Sequence, residues 1–511
     1  MTRLRRLALF VVATTVLAAS GGRSSANPPK PTLTGLTEPA DYLLPNDALI
    51  IPFKDQVPLV FVTRNQPEWA ALTGYFNEGA EQTINPATGE KVTRRVIKIK
   101  VPLGLTTAPA VPLENPMTLA KWNLGKKLYY DPLLSTTGEV ACASCHNPKK
   151  GFTDQMKVST GIGGALGGIN SPTVLNAAYN KLQFWDGRAL SLEDQSQGPV
   201  GNPKEMFGGK ADPWEEAVLR LRSSPEYTKA FAEVFSHAPT RDAAAKAIAT
   251  YERTVLVGNG LHDKAEAAMR KRVTEEESGK FELKPEDYTT ALKQAIASKN
   301  LAVLAPFGLD SSTGDDKAAA LGQRLLNGRT LFFGKARCTN CHTGDTYSDS
   351  GFHNLGVGVS KDGQVSYDDF GRFAQLRTGH KDPSFVGAFK TPGLRGLLAT
   401  GPYMHDGEEK TLEAVVEFYD RGGNANPYLS EKMRDTEAEA AYLRARAAGQ
   451  PLDPDLKTFG PAKKPIIPFK LKLSTDEKAE LVLFLKALNG DPVDPVVADP
   501  QKYLETKPAS R

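Results

Sequence analysis

All four cysteines of this 511-residue chain stand in two copies of one five-residue pattern. Residues 140–155 read VACASCHNPKKGFTDQ, and residues 337–345 read RCTNCHTGD. Cys142, Cys145 and His146 form the first C-x-x-C-H; Cys338, Cys341 and His342 form the second. A repeated C-x-x-C fits three chemistries. Four thiolates can hold a zinc ion in tetrahedral geometry. Two thiols can cycle as a redox pair. Alternatively, each thiol can add to a haem vinyl group while the next residue offers its imidazole to the iron. Only the third chemistry gives the histidine after each pair a task. The spacing points to two covalently bound haem c groups, with zinc as the remaining alternative. Each haem is expected beside the first turns of a helix. No cysteine is left for a disulfide framework.

The beginning of the chain suits that chemistry. Arg3, Arg5 and Arg6 precede an apolar run from Leu7 to Ala19, and Ser24-Ser25-Ala26 resembles a cleavage site for a secretory leader. A membrane anchor is the competing reading, but the run is short for a span. The mature chain is expected in the periplasm, with no membrane span. Residues 1–26 hold four arginines and no acid, so beyond them 59 basic residues face 59 acidic ones. The basic balance therefore belongs to the leader and gives no reason to expect a nucleic-acid partner.

The elements that must position the motifs are mostly helical. After the leader, residues 27–112 read as an N-terminal extension with β character and no assignable role beyond a covering flap or docking module. In VIKIKV (96–101), Ile97, Ile99 and Val101 alternate with lysines, as in a half-buried strand. Residues 113–257 form a first cytochrome c-like domain, with Leu124 and Leu128 at helical spacing ahead of the first motif. Ala244, Ile248, Tyr251 and Val255 mark a core helix that closes it. Residues 258–320 read as a helical insertion or linker. Residues 321–490 repeat the order, with Leu321, Leu325 and Phe332-Phe333 before the second motif. Ser474 and Glu477 form a capping box ahead of Leu481, Phe484, Leu485 and Leu488. Residues 491–511 are a tail. The expected fold is mainly α: two cytochrome c-like haem domains behind a β-containing extension.

Two haems alone imply electron transfer; an enzyme needs an iron with an open axial position. No histidine lies between His146 and His237, and the sulfur candidates Met156 and Met206 have polar neighbours. The first haem is therefore expected to lack a sixth protein ligand and to bind peroxide.

The segments LGKKLYYDPLLSTTGEVACASCH, NSPTVLNAAYNKLQFWDGRALSLEDQSQGPVGNPKEM and FKTPGLRGLLATGPYMHDGEEKTLEAVVEFYDRGG resemble the bacterial dihaem cytochrome c peroxidase and MauG superfamily. The resemblance covers roughly 113–257 and 321–490. It implies a peroxide pocket made by Glu205 and Gln195, with Pro199 between them, and Trp185 as a relay between the haems. It implies one calcium ion on the Asn170 side chain and the carbonyls of Thr400 and Pro402. It also places Arg395 near a haem propionate and His405 near the inter-haem region. Many members carry a displaceable histidine ahead of NSPT; this chain has none there.

Tyr419 and Met404 compete for the second iron. Leu412, Val415, Val416 and Tyr419 follow a helical stripe between a Thr411 cap and a Gly422-Gly423 stop. In the resembling family the axial residue lies fourteen positions after the histidine of PYxH, which selects Tyr419, as in MauG-type members. The expected activity is reduction of hydrogen peroxide with electrons from a small donor protein, a cytochrome c or cupredoxin. One alternative is MauG-type oxidation of a partner protein through a high-valent dihaem state. It is weakened because no tryptophan follows Trp214. The other is a non-catalytic electron-transfer cytochrome.

Overall fold

The computed structural model describes residues 56–505 apart from 277–278, 361 and 367–369. All of these fall in the compact unit Leu43–Arg511. The leader reading lies outside the described residues.

The β character of the extension takes the form of a three-stranded sheet. β1 (Leu59–Val62), β2 (Phe76–Ile84) and β3 (Lys91–Lys100) are ordered β1-β3-β2. β2 and β3 are an antiparallel hairpin, and β1 runs parallel to β3. Ile97, Ile99 and Val101 are buried, as the alternation predicts, and so is Val96. The sheet is no separate flap. Leu59, Ile97 and Ile99 share one apolar core with Trp122, Tyr129 and Tyr251 of the helices before and after the first motif. The Tyr75 hydroxyl donates to the Thr254 carbonyl at 2.6 Å.

Each C-x-x-C-H motif is accompanied by a pair of packed helices. At the first, Leu119–Tyr130 packs against Arg241–Glu252. A Cβ at Gly125 would collide with the Ala247 carbonyl. At the second, Asp315–Phe333 packs against Thr475–Ala487, and a Cβ at Gly328 would collide with the Glu480 carbonyl. The Ser474–Glu477 capping box is formed. The same close approach before each C-x-x-C-H sets the two motifs in equivalent frames.

The segment after residue 258 packs against the two helices that accompany the second motif. Helices Leu261–Glu275 and Pro285–Ala297 put Met269, Tyr288 and Leu292 into one cluster with Leu325 and Ala487. Arg272 ties the two helices through Asp287 at 2.9 and 2.8 Å. The final described residues return to the helices around the first motif. Val497 enters their core, and buried Lys126 donates to the Asp499 carbonyl at 2.7 Å. Among the described residues, no helix is long and apolar enough to cross a membrane.

Candidate active site

The expected helix at each motif is only a turn. The first is Cys142–Cys145, with the His146 N–H closing on the Cys142 carbonyl at 3.0 Å. Asn147 caps the next turn and Pro148 opens it, which ends the helix. The second is the 3-10 turn Cys338–Asn340, entered from Arg337 at φ 55°.

Both histidines are arranged for iron. The Nδ1 atom of His342 is 2.8 Å from the Tyr347 carbonyl, and that of His146 is 3.3 Å from the Phe152 carbonyl. A carbonyl can only accept, so Nδ1 carries the proton and Nε2 keeps its lone pair for a metal. Burial lowers the pKa of both rings and keeps them neutral. The cysteines suit thioether formation better than zinc. Burial pushes the Cys338 and Cys341 thiols up to about 12 and about 11, and raises Cys142 and Cys145 as well. A structural zinc site needs its four ligands gathered in one tetrahedral shell. Among the described residues the four cysteines do not come together. The only candidate cluster among the described residues is Cys341, Asp349 and His353. Its Asp349 is taken by His353 at 2.9 Å and Lys432 at 3.0 Å. The residues present fit two haems.

One cavity carries Cys338, Cys341, His342, Met404 and Tyr419 on its wall and extends to Asn170, Trp185, Thr400, Pro402 and His405. Tyr419 lies on helix Leu412–Asp420. The Thr411 side chain caps that helix, accepting from the Ala414 N–H at 3.1 Å, and Gly422 and Gly423 at φ 85° and 72° end it. The phenol forms no hydrogen bond with a described residue. Burial first, then the fields of Cys341 and Cys338, push its pKa up. It is a polar atom on the cavity wall beside the cysteine pair. Met404 reaches the same wall from the loop between Tyr403 and Glu409, with its backbone at φ 70°.

Glu205 lies on the turn that starts at Asn202, its N–H donating to the Asn202 carbonyl at 3.0 Å. Asn202 donates to its Oε1 at 2.5 Å, and its carbonyl accepts from the Ile162 N–H at 2.9 Å. Burial raises the Glu205 pKa, opposed by Arg188 and Asn202. Its charge adds a little to the burial that raises the Cys142 and Cys145 thiols. Gln195 ends the short helix Leu192–Gln195, and Pro199 opens the next turn. No hydrogen bond joins Gln195 to Glu205. Sequence reasoning missed Arg188, whose guanidinium lies 3.5 Å over the Phe184 ring and bonds Asp186 at 3.1 Å. The signal was a cation three residues after Trp185, inside FWDGR.

One sulfur reading changes and one holds. Met206 is not in a polar setting; it is 3 % exposed within the apolar cluster of Ile162, Val200 and Trp214. Its polar sequence neighbours turn away at the Asn202 turn. Met156 is 56 % exposed. His237 bonds the Ala238 carbonyl at 2.7 Å and stacks on Phe235.

Trp185 donates to the Asn170 carbonyl at 2.9 Å, and its ring lies 6.5 Å from His405, which stacks on Phe389 at 3.5 Å. The Asn170 amide nitrogen donates to the Met156 carbonyl at 2.8 Å, leaving Oδ1 for another partner. Arg395 is not held for a propionate alone: Asp263 is 2.7 Å from Nη1, and the carbonyls of Asp345 and Gly104 accept at 2.5 and 2.9 Å.

The loop that holds Glu205 has no room for a side chain at Gly161, where a Cβ would meet the Lys204 carbonyl. Gly161→Ala should displace Glu205. A misplacement of this kind costs on the order of 10²-fold in rate. Single-turnover peroxide kinetics should show that loss, with an overpacking cost of about 1–3 kcal/mol in urea unfolding. Unchanged kinetics would mean that the loop does not position Glu205.

A sequence profile of the family described as di-haem cytochrome c peroxidase matches residues 119–271. The chain is 33 % identical to Cytochrome-c peroxidase IdrP1 of Denitromonas iodatirespirans over 392 residues, covering 70 % of this chain and 89 % of that one. It is 33 % identical to Methylamine utilization protein MauG of Methylorubrum extorquens over 332 residues, covering 64 % and 76 %. A crystal structure of a MauG-like protein associated with microbial copper homeostasis superposes with a TM-score of 0.54 at 26 % identity, covering 77 % of this chain and 97 % of that one. The chain is thus a dihaem oxidoreductase with two haem c sites, and it belongs to the di-haem cytochrome c peroxidase and MauG family.

Proposed function

We propose that this chain is a periplasmic peroxidase that reduces hydrogen peroxide to two waters, using two protons and two electrons from a small cytochrome c or cupredoxin. The observation that supports this is the half-buried Glu205 carboxyl, held by Asn202 at 2.5 Å and with a raised pKa. The haem held by Cys142, Cys145 and His146 would supply the iron for peroxide reduction, and that held by Cys338, Cys341, His342 and Tyr419 the route for electrons. Glu205 takes the proton from the near peroxide oxygen and returns it to the far oxygen as the O–O bond breaks. Asn202 holds the carboxyl in place for both transfers. Gln195 orients the peroxide without competing for the proton, and Pro199 shapes the wall beside it. Trp185 is the aromatic step between the two sites. A calcium ion fits Asn170 Oδ1 with the carbonyls of Thr400 and Pro402, an all-oxygen set suited to a hard cation. The periplasmic location rests on the leader sequence.

Tyr419 favours a second reading, MauG-type oxidation of a partner protein. A phenolate is a hard anionic donor that favours oxidised iron. The two readings separate in one assay. Peroxide is added to the protein with reduced cytochrome c or reduced cupredoxin. A peroxidase oxidises two equivalents of donor per peroxide. Peroxide consumption with both donors left reduced would reject the peroxidase reading. No consumption at all would leave an electron-transfer cytochrome.

A further inference from the structure

Four cationic side chains line the cavity that carries Cys338, Cys341, His342 and Tyr419: Arg337, Lys390, Arg395 and Lys432. Among the described residues no aspartate or glutamate lines it. Three of the four cations have other engagements. Arg395 pairs with Asp263 at 2.7 Å. Lys432 pairs with Asp349 at 3.0 Å and donates to the Asn340 carbonyl at 2.5 Å. Arg337 lies 4.1 Å over the Phe469 ring at the half-buried rim.

Lys390 is different. It is 7 % exposed, and its Nζ has one acceptor, the Leu182 carbonyl at 2.8 Å. It forms no ion pair with a described residue. An ammonium carries three N–H donors, and a buried one without an anion is unfavourable. Burial draws its pKa down to about 8, opposed only by Asp186. That carboxylate is itself held by Arg188 at 3.1 Å and Gln375 at 3.0 Å. The Lys390 backbone is fixed. It pairs with Phe352 across a short antiparallel ladder, and its N–H donates to the Trp185 carbonyl at 2.8 Å. The side chain is therefore built to meet an anion entering this cavity. The group that fits the cavity, a haem, carries two propionates. Neither Cys142 nor Cys145 lines the cavity, whereas Cys338 and Cys341 both do.

We propose that Lys390 is the buried anchor for a propionate of the haem attached at Cys338 and Cys341. This rests on the haem reading of the two motifs. Lys390 is a positioning residue, because it acts on the iron through the propionate and through its own charge. A fixed positive charge favours the reduced haem, so its loss lowers that haem's midpoint potential.

The test uses the full dihaem protein with Lys390→Met, Lys390→Gln and Lys390→Arg. Denaturing mass spectrometry counts haems, resonance Raman reads the propionate bending modes, and spectroelectrochemistry reads both potentials. In the Met and Gln variants we expect two haems and a shifted propionate mode. The second haem's potential should be lower and the first haem's unchanged. The Arg variant should restore the wild-type values. If Met does not accumulate, Gln carries the same comparison. Two haems with unmoved mode and potential would overturn the proposal, as would a shift confined to the first haem. Haem-free cysteines in the wild type would overturn the haem reading instead.

Discussion

Glu205→Gln slows peroxide consumption by about 10²–10⁴-fold, the usual worth of a positioned general acid–base group. Glutamine keeps the shape of the side chain and can still pair with Asn202, so peroxide binding changes far less than turnover. The loss belongs to proton transfer. Burial raises the pKa of Glu205 above the ordinary glutamate value, and Arg188 and Asn202 only partly offset it. The carboxylate is the base, so the rate is full above the folded pKa and falls as pH drops through it. The acid limb of the wild-type profile therefore lies above the ordinary glutamate range, and it disappears in the variant. Gln195→Ala, which removes an orienting amide and no proton carrier, costs less. Near-normal turnover in Glu205→Gln would remove this residue from the mechanism.

Tyr419→Met raises the midpoint potential of the second haem. The expected shift is on the order of a hundred millivolts, a fraction of the ~0.8 V that axial ligands span. Thioether is a soft neutral donor and phenolate a hard anionic one, so exchanging them favours the reduced iron. The ferric spectrum of the variant gains the charge-transfer band of a methionine–iron bond. Met404→Leu leaves the wild-type spectrum as it was. Both side chains reach the cavity wall, but Tyr419 brings a phenol with no hydrogen bond to a described residue, on the same wall as Cys338 and Cys341. If the wild type already shows the methionine band and Met404→Leu removes it, Met404 is the ligand.

The local parts of this design are readable from neighbouring residues. The two C-x-x-C-H motifs, the Thr411 cap, the Ser474–Glu477 box and the alternation in VIKIKV each state their geometry within a few positions. Contacts between distant segments are not readable in that way. Nothing near Lys126 announces that the Asp499 carbonyl, 373 residues away, will cap its ammonium. Nothing in the extension says that Ile97 and Ile99 complete the core around Trp122. The segment after residue 258 is rich in charge and alanine, which reads as a linker; Met269, Tyr288 and Leu292 bury one face of it against Leu325. Met206 looks polar from its sequence neighbours, but the turn at Asn202 sends its side chain inward. Arg188 carries no local sign of its role, because only the fold brings Glu205 within its field.

The central claim is that peroxide reacts at a first haem that needs no prior reduction. Stopped-flow mixing of the oxidised protein with one equivalent of hydrogen peroxide, followed by haem absorption, tests it most directly. The account predicts a spectral change without added reductant, at a rate proportional to peroxide and strongly slowed in Glu205→Gln. A spectrum that stays unchanged until an electron donor is supplied would contradict it.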